Sequence, residues 1–267
     1  MTPRFSDAMT LSADGPGRFG GFLGDDWTIG PKVHGGVMVG LCAKAAVTAY
    51  GEADPMHPVA VSANFLAAPD PGPITVVVTE RKRGRRIGLA DVELISAGRI
   101  CVHALVTLGK PEPAVAPLYV ASGGAALLNP EPPADLPGIA AGDPAAKINH
   151  LSRGCDIRAR FSELDPTGEL PGFRFWVRPR TGAVDEYFAL MCGDISLPLP
   201  YAVGRRGWAP TIQLTAYLRG LPADGWLRVL CTATVIGQDW FDSDHTVIDS
   251  AGRIIVQSRQ LALVPAQ

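Results

Sequence analysis

The feature that most constrains the fold of this chain is an internal repeat. The segment 96–100 reads SAGRI, and the same five letters return at 250–254, an offset of 154 residues (250 − 96). The flanks agree, because Pro58 and Pro210 each open a run rich in β-branched and aromatic residues, at an offset of 152 (210 − 58). This self-similarity predicts one supersecondary unit that the chain builds twice.

The first copy reads as a helix followed by four strands. Gly35 and Gly36 precede an Ala- and Leu-rich run of helical length. Small residues recur within it at Gly40, Ala43 and Ala46, so we expect another element to approach this helix closely. The strands are predicted at 58–68, 74–83, 86–96 and 99–109, with turn residues between them.

The second copy repeats this order after a connector. A strand at 173–178 precedes a helix at 183–197, and the predicted strands that follow are 209–220, 226–237, 240–249 and 253–264. Residues 111–150 are rich in Pro, Ala and Gly without a sustained period, as in a linker. The predicted organisation is a first repeat at 1–110, the connector at 111–150, and a second repeat at 151–267. We predict an α+β fold in which two antiparallel sheets, each wrapped around its own helix, join edge to edge.

Composition and charge exclude several classes of partner. The 267 residues are 47 % hydrophobic and 19 % charged, with a net charge of −2, so nothing in the charge balance indicates nucleic acid or an anionic membrane. No apolar run approaches the roughly 20 residues that span a bilayer. No segment resembles a signal peptide, so we expect a cytoplasmic protein. A basic cluster at 81–86 fits a solvated hairpin turn, and a site for a phosphate-bearing ligand such as a nucleotide tail is the alternative.

The potential metal ligands lack the spacing of a metal site. The five cysteines are odd in number and contain no CxxC pair, which indicates buried free thiols in a reducing compartment. The five histidines show no metal-binding spacing either. We therefore expect no metal and no other cofactor.

Aligning the two copies reveals polar residues in the second that the first lacks. Thr211 falls opposite Val59 (211 − 152), and Gln260 falls opposite Val106 (260 − 154). Asp194 precedes two prolines and is expected in the last turn of the second helix, where a carboxylate opposes the helix dipole. Singly, each could be an ordinary surface or strand residue. Their joint occurrence in one copy favours a functional cluster.

These residues resemble a known family, the double-hotdog acyl-CoA thioesterases of the bacterial thioesterase II type. The resemblance covers nearly the whole chain outside the connector, and the order and spacing of loose motifs carry it. The matching motifs are His34-Gly35-Gly36, Asn64-Phe65-Leu66, Trp176-Val177-Arg178, Gly193-Asp194, Thr211-Ile212 and the final strand from Gly252 to Gln260.

The resemblance implies both a fold and a reaction. It implies a double hotdog, a fatty acyl-CoA substrate hydrolysed to free acid and CoA, and self-association into a homo-oligomer. The family's Asp, Thr or Ser, and Gln cluster positions the hydrolytic water, and it corresponds here to Asp194, Thr211 and Gln260. The chain differs at Gln213-Leu214, where the family usually has Asp-His, and we expect this difference to affect substrate preference and rate.

Thioester hydrolysis assigns a role to each candidate residue. Asp194 would act as general base or align the water, and Thr211 and Gln260 would hold that water in place. Gly35 and Gly36 would bind the substrate by offering backbone N–H groups to the oxyanion at a helix start. Alternatively, these glycines only let the helix pack tightly. No metal or covalent intermediate is required.

Two other functions stay open at this point. Hotdog sheets also serve enoyl-thioester hydratases, although the short motif in which their acid works with a histidine is not found here. An acyl-CoA binding protein with a degenerate site is the other alternative. A serine nucleophile has no support, because the sequence contains no Gly-x-Ser-x-Gly motif.

Overall fold

The computed structural model describes residues 2–51, 55–111, 117–120, 129–140, 142–159 and 172–266. Within these ranges the helices are α1 (Phe5–Ala8), α2 (Gly35–Tyr50) and α3 (Glu186–Cys192). The strands of the first half are β1 (Ser12–Ala13), β2 (Arg18–Leu23), β3 (Thr28–Ile29), β4 (Lys32–Val33), β5 (His57–Phe65), β6 (Gly72–Arg83), β7 (Gly88–Ser96) and β8 (Arg99–Gly109). Those of the second half are β9 (Cys155–Ala159), β10 (Gly172–Pro179), β11 (Thr211–Leu218), β12 (Leu227–Thr232), β13 (Trp240–Ile248) and β14 (Ile254–Leu263).

Twelve of the strands form one continuous antiparallel sheet. Its order is β1-β2-β6-β7-β8-β5-β11-β14-β13-β12-β10-β9, while β3 and β4 form a separate ribbon. The repeats meet at β5 and β11, in a register that runs from Gln213 opposite Asn64 to Tyr217 opposite Ala60. Helix α2 packs on β5 to β8, and α3 packs on β11 and β14. The predicted edge-to-edge joining of two helix-wrapped sheets, an α+β double hotdog, is confirmed.

The small residues of α2 have the predicted role. A Cβ atom at Gly40 would lie 3.2 Å from the backbone oxygen of Tyr187 in α3, so the backbones of the two helices approach closely at this point. The helix ends where Gly51 takes a left-handed φ of 79°. Most of its side chains are buried, because the sheet covers one side and α3 another.

Helix α3 is shorter than predicted. It spans seven residues, beginning where the Asp185 carboxylate accepts a hydrogen bond from the amide of Phe188 at 2.7 Å. It ends at Gly193, and the downstream Pro198 and Pro200 lack the amide hydrogens that further helical turns would need. The prediction of a helix at 183–197 was therefore too long, and Asp194 lies in the turn after α3 rather than in its last turn.

The sequence pattern located the long strands and missed the short ones. The eight long strands of the two repeats and β10 all form, with boundaries that differ from prediction by a few residues. The elements before α2 and strand β9 were not predicted. Strands β1, β3 and β4 have two residues each, too few to show the alternation that marks a strand.

The connector is only partly described. Residues 112–116, 121–128 and 141 lie outside the described residues, as does 160–171 of the second repeat. The described part of 111–150 includes a 3₁₀ turn at Pro144–Lys147, and a second 3₁₀ turn follows at His150–Arg153. The repeat boundaries at 110 and 150 stay a prediction.

The core and the basic cluster follow expectation. All five cysteines are buried and free, as predicted. The cluster at 81–86 forms the β6–β7 hairpin, in which Arg81 pairs with Asp91 and Arg83 pairs with Glu80. The hairpin interpretation is thus confirmed. Among the described residues, no helix is long and apolar enough to cross a membrane.

Candidate active site

Asp194 lies where the end of α3 meets the first turn of α2. Its side chain is 6 % exposed. A Cβ atom at Gly35 would lie 2.7 Å from Oδ2 of Asp194, and one at Gly36 would lie 2.6 Å from the backbone oxygen of Met191. A Cβ at Gly36 would meet fixed backbone, so this position requires glycine, whereas a Cβ at Gly35 would push the Asp194 carboxyl group aside. The carboxyl group of the second repeat thus contacts the helix start of the first.

The environment of Asp194 pushes its ionisation in two directions. Burial raises the pKa of this carboxyl group from 3.8 to about 7, and a hydrogen bond from the backbone N–H of Gly36 opposes the rise. The N-terminus of α2 also favours negative charge. Asp194 follows the C-terminus of α3, as expected, but its carboxyl group is directed at the N-terminus of α2, which stabilises a negative charge. Near neutral pH the group exchanges a proton readily.

His34, the residue before α2, is the nearest titratable neighbour that the structure shows for Asp194. Its Nε2 atom lies 3.7 Å from Oδ2 of Asp194, and its side chain is 8 % exposed. Burial lowers the pKa of His34 to about 4, partly offset by a hydrogen bond to the Asp194 backbone. Since the carboxyl group ionises near pH 7, no pH leaves both groups mostly charged. The contact joins a neutral ring to the carboxyl group and is not an ion pair.

Sequence reasoning treated His34 only as part of the glycine motif and as a possible metal ligand. The signal that could have found it is its position directly before the two glycines, where a helix start meets the other repeat. Among the described residues, no group of three His, Cys, Asp or Glu side chains could hold a metal ion.

Thr211 and Gln260 form a direct hydrogen bond. The Thr211 hydroxyl donates to Oε1 of Gln260 at 2.7 Å, and Gln260 is 6 % exposed. A bulge in β11 places Thr211 opposite Ala262 and Gln213 opposite Leu261. Thr211 therefore faces the core although strict alternation would turn it outward. The buried Gln260 amide gains a partner, without which it would cost about 1–3 kcal/mol.

The same bulge turns Gln213 to the outer face of the sheet. Its Nε2 atom donates to the Ser62 hydroxyl at 3.2 Å and to the Thr215 hydroxyl at 2.8 Å. The bond to Ser62 crosses the junction between the repeats, since Ser62 lies on β5, whereas Thr215 lies on β11 like Gln213. The residue that differs from the thioesterase II pattern is thus engaged in joining the repeats, on the side of the sheet opposite to Gln260.

Ser258, on the same strand as Gln260, contacts the residue before Asp194. Its hydroxyl donates to the backbone oxygen of Gly193, the residue before Asp194. Ser258 and Gln260 lie on the same face of β14, two residues and therefore about 7 Å apart. Within the described residues no hydrogen bond joins Asp194 directly to Thr211 or Gln260. The structure gathers the five predicted site residues in one region, with Gly35 and Gly36 contributed by the first repeat and the others by the second.

Two surface clefts among the described residues lie away from Asp194. One of about 550 Å³ is lined by residues that include Lys147, Arg153 and Arg180, and another of about 460 Å³ includes Arg178 and Asp224. Neither contains a predicted site residue. The Asp194 side chain is interior and is largely shielded from bulk water.

Comparison with known proteins agrees with this geometry. The model of the acyl-CoA thioesterase N-terminal domain matches residues 23–109, and that of the acyl-CoA thioesterase C-terminal domain matches residues 130–264. The chain belongs to the acyl-CoA thioesterase family. An uncharacterised protein of Mycobacterium tuberculosis is 55 % identical over 291 aligned positions that cover 100 % of both chains.

Two solved structures show the same fold as this thioesterase family member. A Thermobifida fusca protein named as a thioesterase II superposes with a TM-score of 0.85 at 24 % identity, covering 98 % of each chain. A hot dog protein of unknown function from Alicyclobacillus acidocaldarius gives 0.81 at 20 % identity, also over 98 % of each chain. At these identities the likeness establishes the fold, and the reaction must be argued from the site.

Proposed function

We propose that the protein hydrolyses a fatty acyl-CoA to the free acid and CoA, with Asp194 as the general base. The observation that carries the proposal is the buried Asp194 carboxyl group, held between the first turn of α2 and the end of α3. Its pKa of about 7 suits a base that works near neutral pH. Membership in the acyl-CoA thioesterase family supports this reaction class.

The Thr211–Gln260 pair would hold the attacking water. Because Oε1 of Gln260 accepts the Thr211 hydroxyl, the amide NH₂ of Gln260 is the part left to donate to a water oxygen. The lone pairs of the Thr211 hydroxyl can accept a hydrogen bond from the same water. Fixing a water beside the thioester in this way replaces a random encounter by a positioned one.

The reaction needs one water and no other co-reactant. The water oxygen bonds to the thioester carbonyl carbon while Asp194 takes a water proton, which gives a tetrahedral oxyanion. The C–S bond then breaks, the carbonyl reforms, and the CoA thiolate leaves and takes the proton from Asp194. The backbone N–H of Gly36 donates to Asp194. We therefore assign the hydrogen bond to the oxyanion to the backbone N–H of Gly35, which has no partner inside its helix.

The thioester would approach between the end of β5 and the start of β11. Phe65, the last residue of β5, contacts the Cβ position of Gly35 with ring atoms at 3.2 Å and is itself only partly buried. Thr211 at the start of β11 is also partly buried. A substrate at this point would meet the glycine turn on one side and the Thr211–Gln260 pair on the other.

The test is release of free thiol from a panel of acyl-CoAs from short to long. Release that depends on Asp194 and peaks at one chain length supports the proposal. Binding of acyl-CoA without release would instead indicate a binding protein. Loss of the double bond of an enoyl-CoA without thiol release would indicate a hydratase.

A further inference from the structure

The inner face of the second half of the sheet is polar where the first half is aliphatic. The registers match the repeats position by position: His245 lies opposite Ser258, as Val92 lies opposite Ala104. The offsets, 153 (245 − 92) and 154 (258 − 104), agree with the sequence repeat. The matched pairs, second repeat first, are Gln260 and Val106, Ser258 and Ala104, Ser243 and Ala90, His245 and Val92, and Cys231 and Val78.

Four of these five polar residues have partners. Gln260 bonds with Thr211, Ser258 bonds with the Gly193 oxygen, and the Cys231 thiol lies 3.2 Å from the Ser243 hydroxyl. His245 is the exception. It is 1 % exposed, and neither of its ring nitrogens has a hydrogen-bond partner among the described residues.

His245 lies on the wall of the Asp194 site. One strand neighbour is Ser258, which holds the residue before Asp194. The other is Cys231, whose thiol also bonds with Ser196 and senses the charge of Asp194. The ring of His245 in turn senses His34. His245 thus has residues of the site on both neighbouring strands, and His34 is close enough to affect the pKa of its ring.

The chemistry of the ring restricts what it can bind. Burial lowers the pKa of His245 to about 4, so at neutral pH the ring is uncharged and offers one N–H donor and one nitrogen acceptor. A hydroxyl or keto oxygen can pair with such a ring. A plain hydrocarbon chain cannot, and it would leave both buried nitrogens unpaired. A carboxylate calls for a charged partner, which a neutral imidazole is not.

We propose that His245 is a specificity-determining residue that selects acyl-CoAs whose acyl chain carries a hydroxyl or keto oxygen close to the thioester. The proposal rests on the proposed thioesterase function and narrows its substrate class. The oxygen would supply the hydrogen-bond partner that the described residues do not give the His245 ring. A site that recognises a polar group rejects the analogue lacking it because the buried partners are then left unpaired.

The experiment compares kcat/KM for a 3-hydroxyacyl-CoA, the matching 3-ketoacyl-CoA and the saturated acyl-CoA of the same length. We expect the wild-type protein to favour one or both oxygenated substrates by about tenfold, the effect of one buried hydrogen bond. His245→Val installs the residue of the matched position in the first repeat. This variant should lose the preference, because kcat/KM should fall about tenfold further for the oxygenated substrates than for the saturated one. His103→Val, on the outer face of β8, is the matched control and should keep the preference.

Each outcome decides the matter. If the wild-type protein had equal kcat/KM for all three substrates, the role of His245 would be overturned and the thioesterase function would stand. This comparison uses only the wild-type protein, so it does not depend on the folding of a variant. An equal loss on all substrates in His245→Val would also overturn it, since the ring would then serve a step common to them. Failure to hydrolyse all three kinds of substrate at every chain length of the panel would refute the thioesterase function itself.

Discussion

Gly35 and Asp194 approach so closely that a Cβ atom added to the glycine would lie 2.7 Å from Oδ2 of the carboxyl group. This contact joins the two repeats at the candidate site. The glycine begins the helix of the first repeat, and the carboxylate follows the helix of the second. Neither repeat alone brings the two together. The site therefore exists only because β5 and β11 pair and make one sheet of two.

Replacing Gly35 by Ala tests this approach directly. The added methyl group must displace the carboxylate, so we expect kcat/KM for thioester hydrolysis to fall at least tenfold while the protein still folds. Gly220→Ala is the matched control, because a Cβ there meets no atom within 4 Å. Steady-state thiol release and thermal melting measure both effects. Full activity of Gly35→Ala would contradict the assigned position of the carboxylate.

The pH dependence of hydrolysis should report the ionisation of Asp194. Because burial raises the pKa of this carboxyl group to about 7, the base form grows as pH rises through neutrality. We expect log kcat/KM to rise with unit slope below pH 7 and to level off above it. His34 and His245 have pKa values of about 4 and stay neutral over this range. A rate that is already constant from pH 5 upward would argue against Asp194 as the base.

Much of this architecture could be predicted because the sequence contains an internal repeat. The repeated SAGRI segment indicated that each half has a helix followed by four strands, and the offset aligned Thr211 with Val59 and Gln260 with Val106. The comparison identified polar residues that strand propensity alone would treat as ordinary. It depended on a difference between copies, which a single-copy protein would not offer.

Other parts of the site could not be predicted, for reasons that are local and geometric. The bulge that turns Thr211 inward and Gln213 outward adds one residue to a strand and leaves no mark in an alternation pattern. The contact of Asp194 with Gly36 depends on how two helices from different repeats pack, which sequence spacing does not encode. His245 was set aside as one of five histidines without metal spacing, and only the strand register showed that its counterpart is Val92.

The Thr211–Gln260 hydrogen bond can be tested with residues from the first repeat. Thr211→Val and Gln260→Val introduce the valine found at the matched positions of the first repeat. Each substitution removes a group that would hold the water, so each should lower kcat by roughly 10- to 100-fold. Because the two side chains act as one pair, the double variant should lose little more than either single one. A double-mutant cycle in kcat measures this. Losses that multiply would show that the two residues act independently.

Replacement of Asp194 by Asn separates catalysis from stability. The amide keeps the shape of the side chain but cannot take a proton, so we expect kcat to fall by about 10²–10⁴. In the folded protein the carboxyl group keeps its proton up to about pH 7, whereas the unfolded chain releases it near 3.8. Between these values the unfolded state binds fewer protons, so this group lowers the free energy of unfolding as pH rises, and the penalty is complete above pH 7.

Asp194→Asn should therefore match wild type in stability near pH 4 and exceed it at pH 8 by an amount on the order of a few kcal/mol. The buried His34 and His245 act in the opposite direction, since their pKa values are lowered and the unfolded chain binds the extra protons below pH 6.5. They are present in both proteins, so the difference between variant and wild type isolates the carboxyl group. Denaturant unfolding at pH 4 and pH 8 measures it. A variant that is inactive and no more stable than wild type at pH 8 would show that burial does not penalise the ionised Asp194.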